Sequence, residues 1–190
     1  MAQISRKEAK TIGLGLMYGM GIAKLAASLD ISSDEAKALK KKYNDNVHFL
    51  NNIIVRATRY TEQNGYINTL LGRRCRFNLW ESKDFHDKRM MSHENAKKTW
   101  QWNEMKRAGT YRALNRLIQG SAADQTKKAM VDLWKNVGVV PMIQIHDELN
   151  ISIANETQVK EIKEIMESAV ELHVPVKCDA EIGNNWGEIK

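Results

Sequence analysis

The chain has 190 residues, 43% hydrophobic and 27% charged, with a formal net charge of +6, which suits one domain or two subdomains sharing a core. No stretch approaches the roughly 20 apolar residues that span a bilayer, and no secretory leader pattern opens the chain, so no membrane partner and an intracellular location (cytoplasmic or a viral replication complex) are expected. Cys75 and Cys178 are the only cysteines, too few for a disulfide framework or a four-cysteine zinc site. In chain order, Ser5 with Glu8 forms a capping box that predicts a helix to about Met17. Ser32 or Ser33, with Asp34 and Glu35 in the first turn, opens a second helix running toward Tyr43. A third spans Val47 to Gln63 and stops at Asn64-Gly65.

From Tyr66 to Phe77 the pattern is short and mixed. Residues 78–106 lack a clear period and read as an irregular excursion with some helix. Helix returns over Gly109 to Arg116 and again over Ser121 to Val137, where Ala122, Ala123, Ala129, Met130 and Leu133 form an apolar stripe. Strand-like runs Val139–Ile145 and Leu149–Ile153 flank His146-Asp147-Glu148 and predict a β-hairpin with an acidic turn. A helix over Glu156–Leu172 and a strand over Val174–Ile182 follow. The expected class is α+β: a mostly helical first part, then a small antiparallel sheet carrying His-Asp-Glu.

Charge is unevenly spread. Residues 1–112 carry 21 Lys and Arg against 11 Asp and Glu, a net +10, while 113–190 carry 8 against 12, a net −4. A basic first half raises the local concentration of polyanions and gives salt-dependent affinity without sequence preference.

Arg6, Lys10, Leu14 and Tyr18 recur at four-residue steps and share one helix face. Arg6 falls in the first turn, where free backbone N–H groups already favour an anion, and Lys10 extends the positive surface by a turn. An extended polyphosphate fits such a stripe; so does ordinary solvation of two charges above a core of Leu14, Met17 and Tyr18. Gly13, Gly15, Gly19 and Gly21 cost the helix roughly 1 kcal/mol each and point to a bend or a close approach. Asp147 and Glu148 at a tight turn suit Mg2+, which takes one or two carboxylates with phosphate and water; acidic turns are also common for solvation alone. Asn115 and Gln119 stand four apart, so their amides can reach minor-groove acceptors that A·T and G·C pairs share, or serve as plain surface groups.

The words carried by these positions narrow the choice. R-K-E-A-K-T-I-G-L-G-L-M-Y-G resembles motif B of family A DNA polymerases, R-x3-K-x7-Y-G. I-Q-I-H-D-E-L resembles motif C, and L-N-R-L-I-Q-G-S-A-A-D is similar to N-x-P-x-Q-G-T-A-A-D. G-Y-I-N-T-L-L-G-R-R and E-I-G-N-N-W match further landmarks in the same order. The resemblance implies a fingers-like subdomain over 1–110 and a palm-like portion over 111–190. It implies template-directed DNA synthesis: transfer from a dNTP to a primer 3′-hydroxyl on a DNA primer-template. Arg6, Lys10, Leu14 and Tyr18 would bind the nucleotide, with Arg6, Lys10 and Asp147 catalytic. Asp147 and Glu148 would hold Mg2+. Tyr18, Gly19, Arg73, Arg74, Asn115, Gln119 and His146 would meet DNA.

Three positions depart from the family pattern: Gly13 for a common Asn, Leu14 for an aromatic residue, and Tyr111 for an arginine. The family's other catalytic aspartate lies in a D-Y-S-Q-I-E-type motif A upstream of motif B, and nothing like it precedes Ile4. The second carboxylate of a two-Mg2+ site, and the thumb, are therefore expected from outside this chain, through a partner polypeptide or a longer parent chain. A single-subunit RNA polymerase shares the first helix and a His-Asp motif C; Glu148 and Q-G-S-A-A-D favour the DNA enzyme. A non-catalytic duplex-binding module is the third reading.

Overall fold

Hydrophobic spacing and caps set the first four helices in the computed structural model, which describes residues 6–189, the side chains of residues 6–9 and 11 excepted. The Ser5–Glu8 capping box lies outside the described residues. Helix α1 (Arg6–Met17) leads into α2 (Ile22–Leu29), a helix the sequence reading did not foresee because Gly21 precedes it and offers no side-chain cap. Helix α3 (Ser33–Asn46) starts as expected: the Ser32 hydroxyl accepts from the Glu35 amide, and the Glu35 carboxylate accepts from the Ser32 amide. Helix α4 (His48–Asn64) ends at Gly65. Ile12, Leu16, Leu25 and Ala36 lock α1, α2 and α3 together. Leu25 is fully buried, which stabilises the cluster by roughly 1.5–3 kcal/mol.

Strands β1 (Tyr66–Asn68) and β2 (Arg74–Arg76) pair antiparallel with Ile67 opposite Cys75. The excursion expected to be irregular is instead an ordered sheet. Strands β3 (Leu79–Ser82), β4 (Met90–Ser92) and β5 (Met105–Arg107) pair antiparallel in the order β4-β3-β5, and α5 (His93–Thr99) packs on them. Trp80, Ala96 and Met105 form its own small core. Its ends meet, since the Ala108 amide donates to the Leu79 carbonyl at 2.9 Å.

A short 3-10 turn (Thr110–Arg112) precedes α6 (Ala113–Val137). The expected break before Ser121 is absent, because Gly120 and Ser121 are carried inside one helix. Ala113 and Leu114, backed by Leu117 and Ile118, pack on Ala57, Ile67 and Phe77. Packing on this scale outweighs the cost of one mid-helix glycine.

Strands β6 (Ile143–Ile145) and β7 (Glu148–Asn150) form the foreseen hairpin, shorter at both ends than its apolar runs. Helix α7 (Thr157–Ser168) places Ile162 against Leu133 of α6 and Val139. The expected strand over Val174–Ile182 is not formed. That segment forms no ladder and bends at Val174, Val174 and Ile182 are exposed, and the Cys178 amide donates to the Glu167 carboxylate instead. The class is α+β. By compactness the chain divides into Met1–Gly120 and Ser121–Lys190. No helix among the described residues is long and apolar enough to cross a membrane.

Candidate functional site

Lys10, Leu14 and Tyr18 lie along one side of α1 and its end, as the four-residue spacing requires. With Gly15, Gly19, Met20, Gly21 and Lys24 they line an open groove of about 630 Å³. Lys10 and Lys24 are exposed there, and Leu14 is 39% exposed, so cations stand beside an apolar wall. Arg6 is the first residue of α1; its side chain lies outside the description.

The Tyr-Gly pair has a structural cause. The Gly19 amide donates to the Leu16 carbonyl at 3.1 Å and the Met20 amide to the Gly15 carbonyl at 2.8 Å. These are the two bonds of a Schellman stop, which needs a left-handed residue, and Gly19 has φ +80°. Helix α1 therefore ends with Tyr18 held at its last turn, facing the groove.

Tyr18 reaches a partner 101 residues along the chain: the Gln119 side-chain amide donates to its hydroxyl at 2.9 Å. The groove helix and the N-x-x-x-Q helix are thus brought together within the first compact unit. Asn115 lies one turn before Gln119 on α6 and is half-buried, while Gln119 is exposed. Next to Gln119, Gly120 is closely approached: a Cβ there would stand 2.7 Å from Cγ2 of Thr69. A mid-helix glycine costs about 1 kcal/mol relative to alanine, and this contact is the reason for it. Arg73 Nη2 donates to the Gly120 carbonyl at 2.9 Å. Its neighbour Arg74 instead lies over the Tyr66 ring, 4.0 Å from the centroid. Hydrogen bonding between Tyr60 and Tyr66 raises the Tyr60 hydroxyl above its ordinary pKa.

In the second unit, His146 and Asp147 form the two-residue loop between paired Ile145 and Glu148. His146 has φ +53°, the left-handed start that tight hairpin turns of matching twist demand. The Gln144 side chain donates to the His146 carbonyl at 3.1 Å and braces the loop. His146, Asp147 and Glu148 are all exposed, so two adjacent carboxylates project from a short loop and the strand after it. Among the described residues no cluster of three or more His, Cys, Asp or Glu forms a metal cage. Adjacent carboxylates are the kind of donor that hard cations take alongside phosphate and water.

The sequence reading missed Lys24, because the helix that carries it was not foreseen. It also missed Thr69, whose neutral side chain gives no charge or spacing signal. It found the groove residues through their period and the hairpin through its change of period.

The sequence profile of DNA polymerase family A matches residues 1–188. The chain is 34% identical to a DNA-directed DNA polymerase of Pseudomonas phage M6, covering 98% of this chain and 30% of that protein. It is 33% identical to DNA polymerase I of Borreliella burgdorferi, covering 97% and 19% respectively. Among solved structures, it is similar to the POL domain of Pol1 from M. smegmatis in complex with DNA primer-template and dNTP. The TM-score is 0.68 at 27% identity, over 92% of this chain and 30% of that one. These 190 residues thus span less than a third of the length of the curated relatives compared. With the profile matched over nearly its whole length, the chain belongs to DNA polymerase family A.

Proposed function

We propose that these residues supply the nucleotide-binding helix and one set of metal-ligating carboxylates for template-directed DNA synthesis, in which a dNTP is joined to a primer 3′-hydroxyl with loss of pyrophosphate. The observation that carries this reading is the Gln119–Tyr18 hydrogen bond, which joins two motifs 101 residues apart beside a cationic groove. A structural relative bound to primer-template and dNTP supports the choice of ligands. Residues 1–110 correspond to fingers and 111–190 to palm.

Arg6 and Lys10 at the start of α1 bind the triphosphate, where cationic side chains and free helix N–H groups favour anions. Leu14 offers an apolar wall to the sugar, and Tyr18 packs at the new base pair. Lys10 is also assigned the protonation of the leaving pyrophosphate. Asn115 and Gln119 offer amide donors to the minor-groove acceptors common to all base pairs. Gly19 and Arg74 in the first unit, and His146 in the second, are assigned to contacts with primer and template. Asp147 and Glu148 bind Mg2+. When bound, Mg2+ neutralises the charge that builds on the phosphates during in-line transfer. The second catalytic carboxylate comes from outside these residues, through a longer chain or a partner polypeptide. The work of the residues here is positioning and charge complementarity, which is most of what phosphoryl transfer asks of a protein.

The test is Mg2+-dependent primer extension with these residues joined to the remaining polymerase portion. Asp147→Ala is expected to abolish extension while duplex binding persists. Undiminished extension by Asp147→Ala would refute the assignment.

A further inference from the structure

The turn after β1 reaches Gly120 of α6 from two directions. Thr69 and Arg73 close this turn, the Thr69 amide donating to the Arg73 carbonyl at 2.8 Å and the Gly72 amide to the Thr69 carbonyl at 2.9 Å. Thr69 is buried, and its Cγ2 occupies the space a Cβ on Gly120 would need, 2.7 Å away. Arg73 Nη2 bonds the Gly120 carbonyl from the other end of the turn. One contact bears on the α-carbon and the other on the carbonyl oxygen, so together they set both the rotation and the height of α6 at this point.

Gln119 is the residue beside it, and consecutive helix residues are rigidly linked at about 1.5 Å and 100° per step. A shift at Gly120 therefore moves the Gln119 amide by a similar amount. Hydrogen bonds weaken steeply beyond about 3.2 Å, so a slip of less than an ångström is felt.

We infer that Thr69 and Arg73 are a strut that positions Gln119 for the duplex minor groove, and that Arg73 acts through Gly120 rather than by direct contact with DNA. Arg73 remains solvent-exposed, but its Nη2 is directed to the helix carbonyl. The inference rests on the reading that Gln119 meets a duplex.

Fluorescence anisotropy with a labelled primer-template, across a salt series, tests it on the full chain. Gln119→Ala and Arg73→Met are each expected to weaken binding roughly three- to tenfold. The double variant should bind no more weakly than Gln119→Ala alone, and Arg73→Met should leave the salt dependence unchanged. Additive losses, or a log K against log salt slope reduced by about one, would mean that Arg73 grips phosphate and would overturn the inference. Gly120→Ala should reproduce the defect although alanine is the better helix former. Adding Thr69→Ser, which removes the colliding methyl, should restore binding. Amide exchange across residues 117–124 reads the same pair without DNA: faster in Gly120→Ala, slowed again in Gly120→Ala/Thr69→Ser. Failure of that restoration overturns the strut, whereas wild-type chain that ignores the duplex at low salt overturns only the function beneath it.

Discussion

Replacing Tyr18 by Phe removes a single hydroxyl and keeps the ring against the groove. The lost interaction is the 2.9 Å bond from the Gln119 amide. A net intramolecular hydrogen bond contributes about 0.5–1.5 kcal/mol, and Gln119 is exposed, so water takes over its donor and the cost falls near about 0.5–1 kcal/mol. With a urea dependence of roughly 2 kcal/mol/M, the unfolding midpoint drops by about 0.25–0.5 M. Duplex affinity moves the other way. In the free protein one N–H of the Gln119 amide is held by the Tyr18 hydroxyl, and under the proposed role the side chain turns away from Tyr18 to meet a base edge. Freeing it in advance tightens binding by the same free energy, about two- to fivefold. Urea unfolding followed by tryptophan fluorescence measures the first effect, and anisotropy with a labelled primer-template and no nucleotide measures the second. Weaker binding by Tyr18→Phe, of the size seen for Gln119→Ala, would show that the hydroxyl engages DNA itself and would refute the reasoning.

Ser32→Ala removes the side-chain half of the α3 capping box, the bond from the Glu35 amide to the Ser32 hydroxyl, and is expected to destabilise the first unit by about 1 kcal/mol in urea unfolding. Gly19→Ala places a Cβ on a left-handed residue and should cost about 1 kcal/mol, read as faster amide exchange at the end of α1. Asp87 accepts hydrogen bonds from the Arg89 side chain and amide and from the Trp100 indole, which hold its carboxyl well below the usual range. Because the folded value is depressed, its contribution is complete above the ordinary Asp value near about pH 4 and disappears as pH falls below it. The Trp100 indole N–H resonance should follow that loss in acid, and Asp87→Asn should remove the acid dependence. Lys10→Ala, assayed beside Asp147→Ala in the assembled polymerase, should raise the KM for dNTP, whereas Asp147→Ala should remove turnover.

How far the sequence disclosed this arrangement depended on the length of each pattern. Helices α3 and α4 were legible because Ser32 with Glu35 marks a start and Asn64-Gly65 an end. The hairpin at Asp147 was legible from apolar runs on both sides of an acidic turn, though the ladder closes over only three residues per strand. Strands β3, β4 and β5 were not, since runs of three or four residues containing Glu81 and Ser82 are too short to establish a period of two. Helix α2 was hidden by Gly19 and Gly21. The break expected before Ser121 was misread because glycine at 120 answers to Thr69, a neighbour from another element, and not to any local stop. The alternating Val174, Val176 and Cys178 looked like a strand, yet alternation makes a ladder only where a neighbouring strand accepts it. At the site, Lys10, Leu14 and Tyr18 were found by spacing, but the Gln119–Tyr18 bond depends on two segments far apart in the chain and left no local trace.

The sheet of β3, β4 and β5 begins and finishes at the same place, with Leu79 and Ala108 joined by a backbone hydrogen bond and a private core of Trp80, Ala96 and Met105 above them. A loop whose feet already touch imposes almost no strain on the scaffold that bears it, and changing its length alters closure entropy only logarithmically, by about 0.6 kcal/mol per doubling. Such a segment is an exchangeable cassette. Evolution, or an engineer, can trim it to a short connector or graft another in its place while the helices on either side keep their register.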